Sequence, residues 1–267
     1  MIDTGQGSPI VLIPGLQGRW EWMTPTVEAL SAHHRTFSFS LDDVDAVKAP
    51  ERAFDAWVAE IDRLLDRAGE KQAAIAGVSF GGLVAAYYAA RRPDRASALV
   101  LISAPAPRWR WDHPMAKYIS RPRLAFPIFM ARAAGRLLPE FRALDARPGP
   151  RIRFLTQHLG RVMRFPASPT FMAACVRAWA ATDITAECRR ITAPTLVITG
   201  EPDLDRVVPV GATLEYQTLI RGARHMTLER TGHLGVISRP HELAALVTQF
   251  VEGRERVTTP SAVDKVG

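Results

Sequence analysis

The chain has 267 residues, 47% of them apolar, with 34 Lys and Arg against 27 Asp and Glu for a formal charge of +7. That length and apolar content suit one substantial core, and no run approaches the 18 apolar residues of a membrane span. Cys175 and Cys188 are the only cysteines and form no CxxC pair, which points to neither a zinc site nor a disulfide framework, and no recognition motif accompanies the positive charge to suggest nucleic acid.

Met1–Gly7 has neither a basic start nor an apolar stretch, so no signal peptide is expected and a cytoplasmic protein is. The first strand is Pro9 to Ile13, which runs into the glycine-rich turn Pro14-Gly15-Leu16-Gln17-Gly18, with Trp20 and Trp22 beyond it. A second strand is read at Thr36 to Leu41. The clearest helix is Glu51 to Arg67, where Phe54, Trp57, Val58, Ile61, Leu64 and Leu65 recur at helical spacing on one face. The β-prone run Gln72 to Val78 leads into Gly77-Val78-Ser79-Phe80-Gly81, and Leu83 to Ala90 leads out as a helix, with Gly82 at the junction. Further strands are read at Ala98 to Ser103, Thr195 to Thr199 and Ala223 to Leu228. Strands alternating with helices imply a mostly parallel central sheet covered by helices on both faces, with ligands bound beyond the strand C-termini.

Between Ser103 and Thr195 this alternation stops, with the insertion read over residues 105–190. The segment reads as several short helices broken by prolines, among them Pro122, Pro127, Pro139, Pro148, Pro150 and Pro169, and is expected to be an inserted helical lid. Ser168-Pro169 is a helix start, with serine as N-cap and proline at the first helical position. The two cysteines fall here as free thiols. Residues 1–104 and 191–252 then form a discontinuous core, and 253–267, which lose periodicity, a flexible tail.

The chemistry centres on Ser79. A serine on a sharp strand-to-helix turn is held in a strained conformation costing about 1–3 kcal/mol, and glycine two residues to either side removes side chains that would collide there. By composition alone a G-x-S-x-G match arises by chance roughly one time in twenty in a chain this long, so the partners decide. His233, in a loop after the last strand, supplies a base that takes the hydroxyl proton and returns it to the leaving group. The other histidines, His33, His34, His113, His158, His225 and His241, lack comparable context. The carboxylate that orients the imidazole is sought in Glu201-Pro202-Asp203-Leu204-Asp205-Arg206-Val207-Val208-Pro209. Counting from the strand end favours Asp203; counting back from Pro209 or His233 favours Asp205, which is preferred, with Asp203 as the alternative. Backbone N–H groups of Leu16 and Phe80 are the candidate oxyanion donors, each worth about 3–4 kcal/mol in acyl transfer.

With Pro14 to Gly18, Gly77 to Gly82, Leu196 to Pro209 and Gly232-His233 in the order serine, acid, histidine, the chain resembles the α/β-hydrolase family, in its small lid-bearing esterase and lipase-like branch, from about Ser8 to Val251. The resemblance implies an α/β-hydrolase fold and hydrolysis of a carboxylic ester or thioester of a small or acyl-chain substrate through an acyl-enzyme, with no cofactor and no metal. Serine at the elbow argues against the dehalogenases and epoxide hydrolases of this family, which use aspartate there. A non-hydrolytic ligand-binding or signalling protein, or an acyltransferase using the same triad, stands as the alternative. The chain departs from the family in two places. Pro14-Gly15 stands where His-Gly is common, and the two opening strands are mostly missing, an N-terminal truncation that makes Thr36–Leu41 a sheet edge. Asp42, Asp43 and Asp45 then discourage edge pairing, or the edge serves a homodimer rather than a monomer, or the true start lies upstream.

Charge is uneven. Residues 105–190 carry 16 Lys and Arg against 5 Asp and Glu, a balance of +11, leaving the remainder at −4. A solvated basic surface is one reading; the other is peripheral contact of the lid with anionic lipid.

Overall fold

The apolar strand runs have no polar side to show to water, so each must be covered on both faces. In the computed structural model of the protein, which describes residues 1–44, 49–108, 118–144 and 148–253, they assemble in the middle of a seven-stranded sheet. The strands are β1 (Ile2–Thr4), β2 (Pro9–Ile13), β3 (Arg35–Ser38), β4 (Ala73–Val78), β5 (Ala96–Ile102), β6 (Thr195–Thr199) and β7 (Arg224–Thr227), in the order β1-β3-β2-β4-β5-β6-β7. Every neighbouring pair is parallel except β1 with β3.

The two-residue period of the strands divides the core into two layers. Val11, Ile13, Ile75, Leu99, Leu101 and Val197 face one side, against α2 (Ala53–Ala68), α3 (Phe80–Arg91) and, further along the chain, α6 (Pro169–Ala181). Ile10, Leu12, Ala74, Ala76, Val100 and Ile198 face the other, against α1 (Thr24–Ser31) and the C-terminal α11 (Pro240–Val251). The helix expected over Glu51 to Arg67 forms with its six apolar residues buried, after a 3-10 turn at Pro50–Arg52.

Two expectations are corrected. The strand read from Thr36 is not a sheet edge, because β1 pairs with it antiparallel, Ile2 opposite Ser38 and Thr4 opposite Thr36. Arg35 fastens the pair by donating to both carboxylate oxygens of Asp3, at 3.0 and 2.8 Å. A three-residue strand is too short to show periodicity, and its partners lie more than thirty residues away. Asp42 accordingly guards no edge; it pairs with Arg19 at 2.9 Å, and Leu41–Asp43 form a 3-10 turn. Asp45 lies outside the described residues, as does the tail from residue 254.

The second correction concerns the prolines of the insertion between β5 and β6. α4 (Pro122–Ala143) runs 22 residues with Pro127 and Pro139 inside it, rather than breaking at them. Each proline forfeits one backbone hydrogen bond, which packing offsets: Phe126 and Phe129 lie against the core, and Phe129 stacks on Tyr118 with centroids 4.7 Å apart. α5 (Pro148–Arg164) follows, then α6, opened as expected by Ser168 accepting from the Phe171 N–H at 3.3 Å with Pro169 at its first position, then α7 (Ile184–Cys188). Cys175 and Cys188 are buried free thiols. After β6 come α8 (Val210–Leu214) and α9 (Tyr216–Leu219), and after β7, α10 (Gly235–Ser238). Among the described residues no helix is long and apolar enough to cross a membrane.

Candidate active site

From β2 the chain passes to β3 on one side and then to β4 on the other, so the C-terminal ends of β2 and β4 border the crevice where a doubly wound sheet accommodates ligands. Ser79 stands there, between β4 and α3, at φ 52° and ψ −123°, a region that costs a residue with a side chain about 1–3 kcal/mol. Its N–H is tied to the Ile102 carbonyl at 2.8 Å. The flanking glycines are required by space: a methyl at Gly77 would enter the Gly81 carbonyl, and one at Gly81 would enter the carbonyls of Ile13 and Pro14. Phe80 pins the start of α3 by its ring, edge-on to Trp57 with centroids 5.6 Å apart. As the first residue of the helix, Phe80 has an N–H without a partner inside it. Gly15, in the turn after β2, lies against the Ser79 side chain, which puts the neighbouring Leu16 on the same side of the crevice.

The loop after β6 brings Asp205, 3% exposed, under the imidazole of His233, which follows β7. The Ser79 Oγ lies 3.1 Å from His233 Nε2, and His233 Nδ1 lies 3.4 Å from Asp205 Oδ2. The other Asp205 oxygen accepts the N–H groups of Val207 and Val208 at 3.1 and 3.0 Å, which fixes the carboxylate in the loop. Asp203 is exposed on the same loop, so of the two alternatives the structure brings Asp205 to the imidazole. The loops hold one another by backbone contact: Glu201 N–H donates to the Thr231 carbonyl at 2.8 Å, and Gly232 passes so close to Leu204 and Asp205 that any side chain there would strike the backbone.

The electrostatics follow from this geometry. Burial alone would raise the Asp205 carboxyl, but the His233 charge and hydrogen bond, with the two backbone N–H groups, outweigh it and hold it below its ordinary value. Burial would likewise depress His233, but the charge and hydrogen bond of Asp205, then the charge of Glu140, hold the imidazole above its ordinary value. Imidazolium is thereby stabilised relative to a free imidazole.

Glu140 was not found by sequence reasoning. It comes from the last turn of α4, is 1% exposed, and accepts the N–H groups of Gly232 and Leu234, the residues on either side of His233, at 2.7 and 2.8 Å. The one available signal is that it is the only acidic residue in a helix otherwise charged by arginine. The remaining histidines stand elsewhere. His34 is buried between Ser8 and Thr248, His225 bonds Thr199, His158 packs on Trp22 and Phe154, and His33 and His241 are exposed. His113 lies outside the described residues.

A strained serine on a strand–helix turn, with an imidazole and a carboxylate gathered beyond the same sheet edge, defines an α/β hydrolase architecture. The sequence matches the model of the Alpha/beta hydrolase family over residues 10–246. It is 26% identical over 251 residues to the pimeloyl-(acyl-carrier protein) methyl ester esterase of Aliivibrio salmonicida, covering 93% of this chain and 94% of that one. It is also 26% identical over 269 residues to the 2-hydroxy-6-oxo-2,4-heptadienoate hydrolase of Pseudomonas putida, covering 95% and 92%. Among solved structures it is similar to the enol-lactonase from Burkholderia xenovorans LB400, with a TM-score of 0.73 at 22% identity over 94% of this chain and 95% of that one. The chain belongs to the alpha/beta hydrolase family.

Proposed function

We propose that this hydrolase cleaves a carboxylic ester or thioester of a small or acyl-chain substrate through an acyl-enzyme. The observation that carries the reading is the unbroken hydrogen-bonded chain from Ser79 through His233 to Asp205; relatives named as esterases and hydrolases support ester hydrolysis in general. Ser79 Oγ attacks the carbonyl carbon as its proton passes to His233 Nε2. The carbonyl π pair moves to oxygen, where the N–H groups of Leu16 and Phe80 receive the charge. Collapse of this intermediate breaks the bond to the leaving alkoxide or thiolate, which takes the proton from His233. Water then attacks the acyl-serine with the same proton transfers and releases the acid. Asp205 holds the tautomer in which Nε2 is free to accept, and stabilises the imidazolium between the two transfers.

A p-nitrophenyl ester series from acetate to palmitate, run on wild type and Ser79→Ala with a fluorophosphonate probe, tests this. Turnover and labelling that both require Ser79 are expected, and the preferred chain length would size the acyl site. A folded wild-type protein that neither turns over nor labels would overturn the reading in favour of a binding protein on the same fold.

The helices between β5 and β6 act in this reading as a lid over the site. Their outer surface supports the contact with anionic lipid. Ile152, Leu155, Leu159 and Met163 of α5 recur at three- and four-residue spacing and are exposed, as are Leu124, Ile128 and Leu138 of α4. Arginines accompany them on both helices, and α5 carries no acidic residue at all. An apolar stripe with a cationic border is the arrangement by which a helix lies in a charged lipid surface.

A further inference from the structure

The carboxylate of Glu140 does something that no local requirement of its own helix explains. α4 supplies arginines within reach of its own surface, and a glutamate needed only for helix stability would stay there with them. Glu140 instead turns inward beside Pro139, is buried, and directs each of its two oxygens to a separate backbone N–H, Gly232 at 2.7 Å and Leu234 at 2.8 Å. Those two groups bracket a single residue, His233. The segment they belong to is short and irregular, lying between β7 and α10, and on its other side it rests on the loop that carries Asp205. His233 is therefore held from below by the acid loop and from above by a helix of the insertion.

We propose that Glu140 is a positioning residue of the active site, a carboxylate clamp by which α4 sets the backbone on both sides of His233, so that the serine–imidazole pair is in register only while α4 is docked. The inference rests on the acyl-enzyme reading given above and adds to it a condition: the lid completes the site as well as covering it. The dependence has a physical basis in the size of the gap. The Ser79–His233 separation is 3.1 Å, and a shift of about 1 Å in a reacting group costs on the order of 100-fold in rate. A loop fixed at both flanks by charge-assisted hydrogen bonds cannot drift by that amount, whereas one released from them can.

The clamp also bears on the charge of the imidazole. Asp205 from the loop after β6 and Glu140 from α4 are the carboxylates that act on His233, and both favour its protonated form against the effect of burial. Burial in turn holds the Glu140 carboxyl above its ordinary value, although the two backbone N–H groups and the imidazole oppose this. Removing the Glu140 charge destabilises imidazolium, so the pH at which the base becomes available moves down.

The experiment compares wild type, Glu140→Gln, Glu140→Ala and Ser79→Ala on the p-nitrophenyl ester that wild type turns over best. It records kcat, KM and the pH dependence of kcat/KM, with circular dichroism to measure the folded fraction. Glu140→Gln keeps the shape but turns an N–H donor toward one of the two backbone donors. It is expected to lower kcat by about 10- to 100-fold with KM within about twofold, and to move the acidic limb to lower pH. Glu140→Ala is expected to lose at least as much. Turnover that survives Ser79→Ala would overturn the acyl-enzyme reading and this inference with it. Turnover abolished by Ser79→Ala but unchanged in kcat and pH profile by Glu140→Gln would overturn the inference alone. Losses in both Glu140 variants that merely track the folded fraction, with the limb unmoved, would make Glu140 a structural support and likewise overturn it.

Discussion

At the scale of single residues, Asp203 and Asp205 share a loop and a chemical type, and burial and the neighbouring N–H groups separate them. Asp205 is enclosed, its Oδ1 held by Val207 and Val208 and its Oδ2 turned to His233, while Asp203 faces solvent. Asp205→Asn is therefore expected to lower kcat by about 10⁴-fold, since the amide favours the wrong imidazole tautomer, and Asp203→Asn to leave it within about twofold; ester turnover of the two variants checks this. In the proposed mechanism His233 must be neutral to accept the serine proton, and its environment raises its pKa above the ordinary imidazole value. The acidic limb of kcat/KM should accordingly lie above the ordinary imidazole value, activity falling as the pH drops through it, as a pH–rate profile of the free enzyme would register. Ser79 and His233 were legible in the sequence because each sits in a short local pattern. Asp205 was legible only as one of a pair, because the choice depends on which side of a loop faces inward. Glu140 was not legible at all: its partners are 92 and 94 residues further along the chain, and nothing in its own surroundings announces them.

At the scale of elements, the strand–turn–helix around Ser79 works because three backbone segments meet where side chains would stand. Gly81→Ala would drive a methyl into the carbonyls of Ile13, the last residue of β2, and of Pro14, the first of the turn that leads to Leu16. The expected cost is about 1–3 kcal/mol of stability, with loss of fluorophosphonate labelling as the elbow and the adjoining turn move apart; thermal melting and probe labelling measure the two effects. The central strands and α2 were legible because long apolar runs and a three-to-four residue stripe admit few alternatives. β1 was not, being three residues long and held by a distant arginine, and α4 was misread as broken because proline signals a lost hydrogen bond but not the packing that compensates for it. Burial of Cys175 and Cys188 raises both thiols, Cys188 to about 12. Native protein should thus resist a thiol-specific disulfide reagent that modifies both sites after denaturation.

At the scale of the whole molecule, the charge map and the apolar map coincide on the insertion. Leu124 and Met163 are 75% and 76% exposed, and the helices that carry them hold most of the chain's surplus of arginine. Binding to phosphatidylcholine vesicles containing phosphatidylglycerol is expected, falling with added salt and with Leu159→Gln and Met163→Gln, since each basic group near such a surface is worth about 1 kcal/mol. Sedimentation with neutral and anionic vesicles alike, or with neither, would exclude it. The placement of the insertion has a separate consequence for how the protein is made. β5 and β6 are neighbours in the sheet, Val100 opposite Leu196, yet all of residues 103–194 must be synthesised between them. At about 5–20 residues per second the growing chain holds β5 with one edge unpaired for roughly 5–20 seconds, carrying buried-type residues such as Leu99 and Leu101. During translation, then, the half-built sheet is an adhesive object, and its safe passage depends on the helices emerging next to shield what the last two strands will later close.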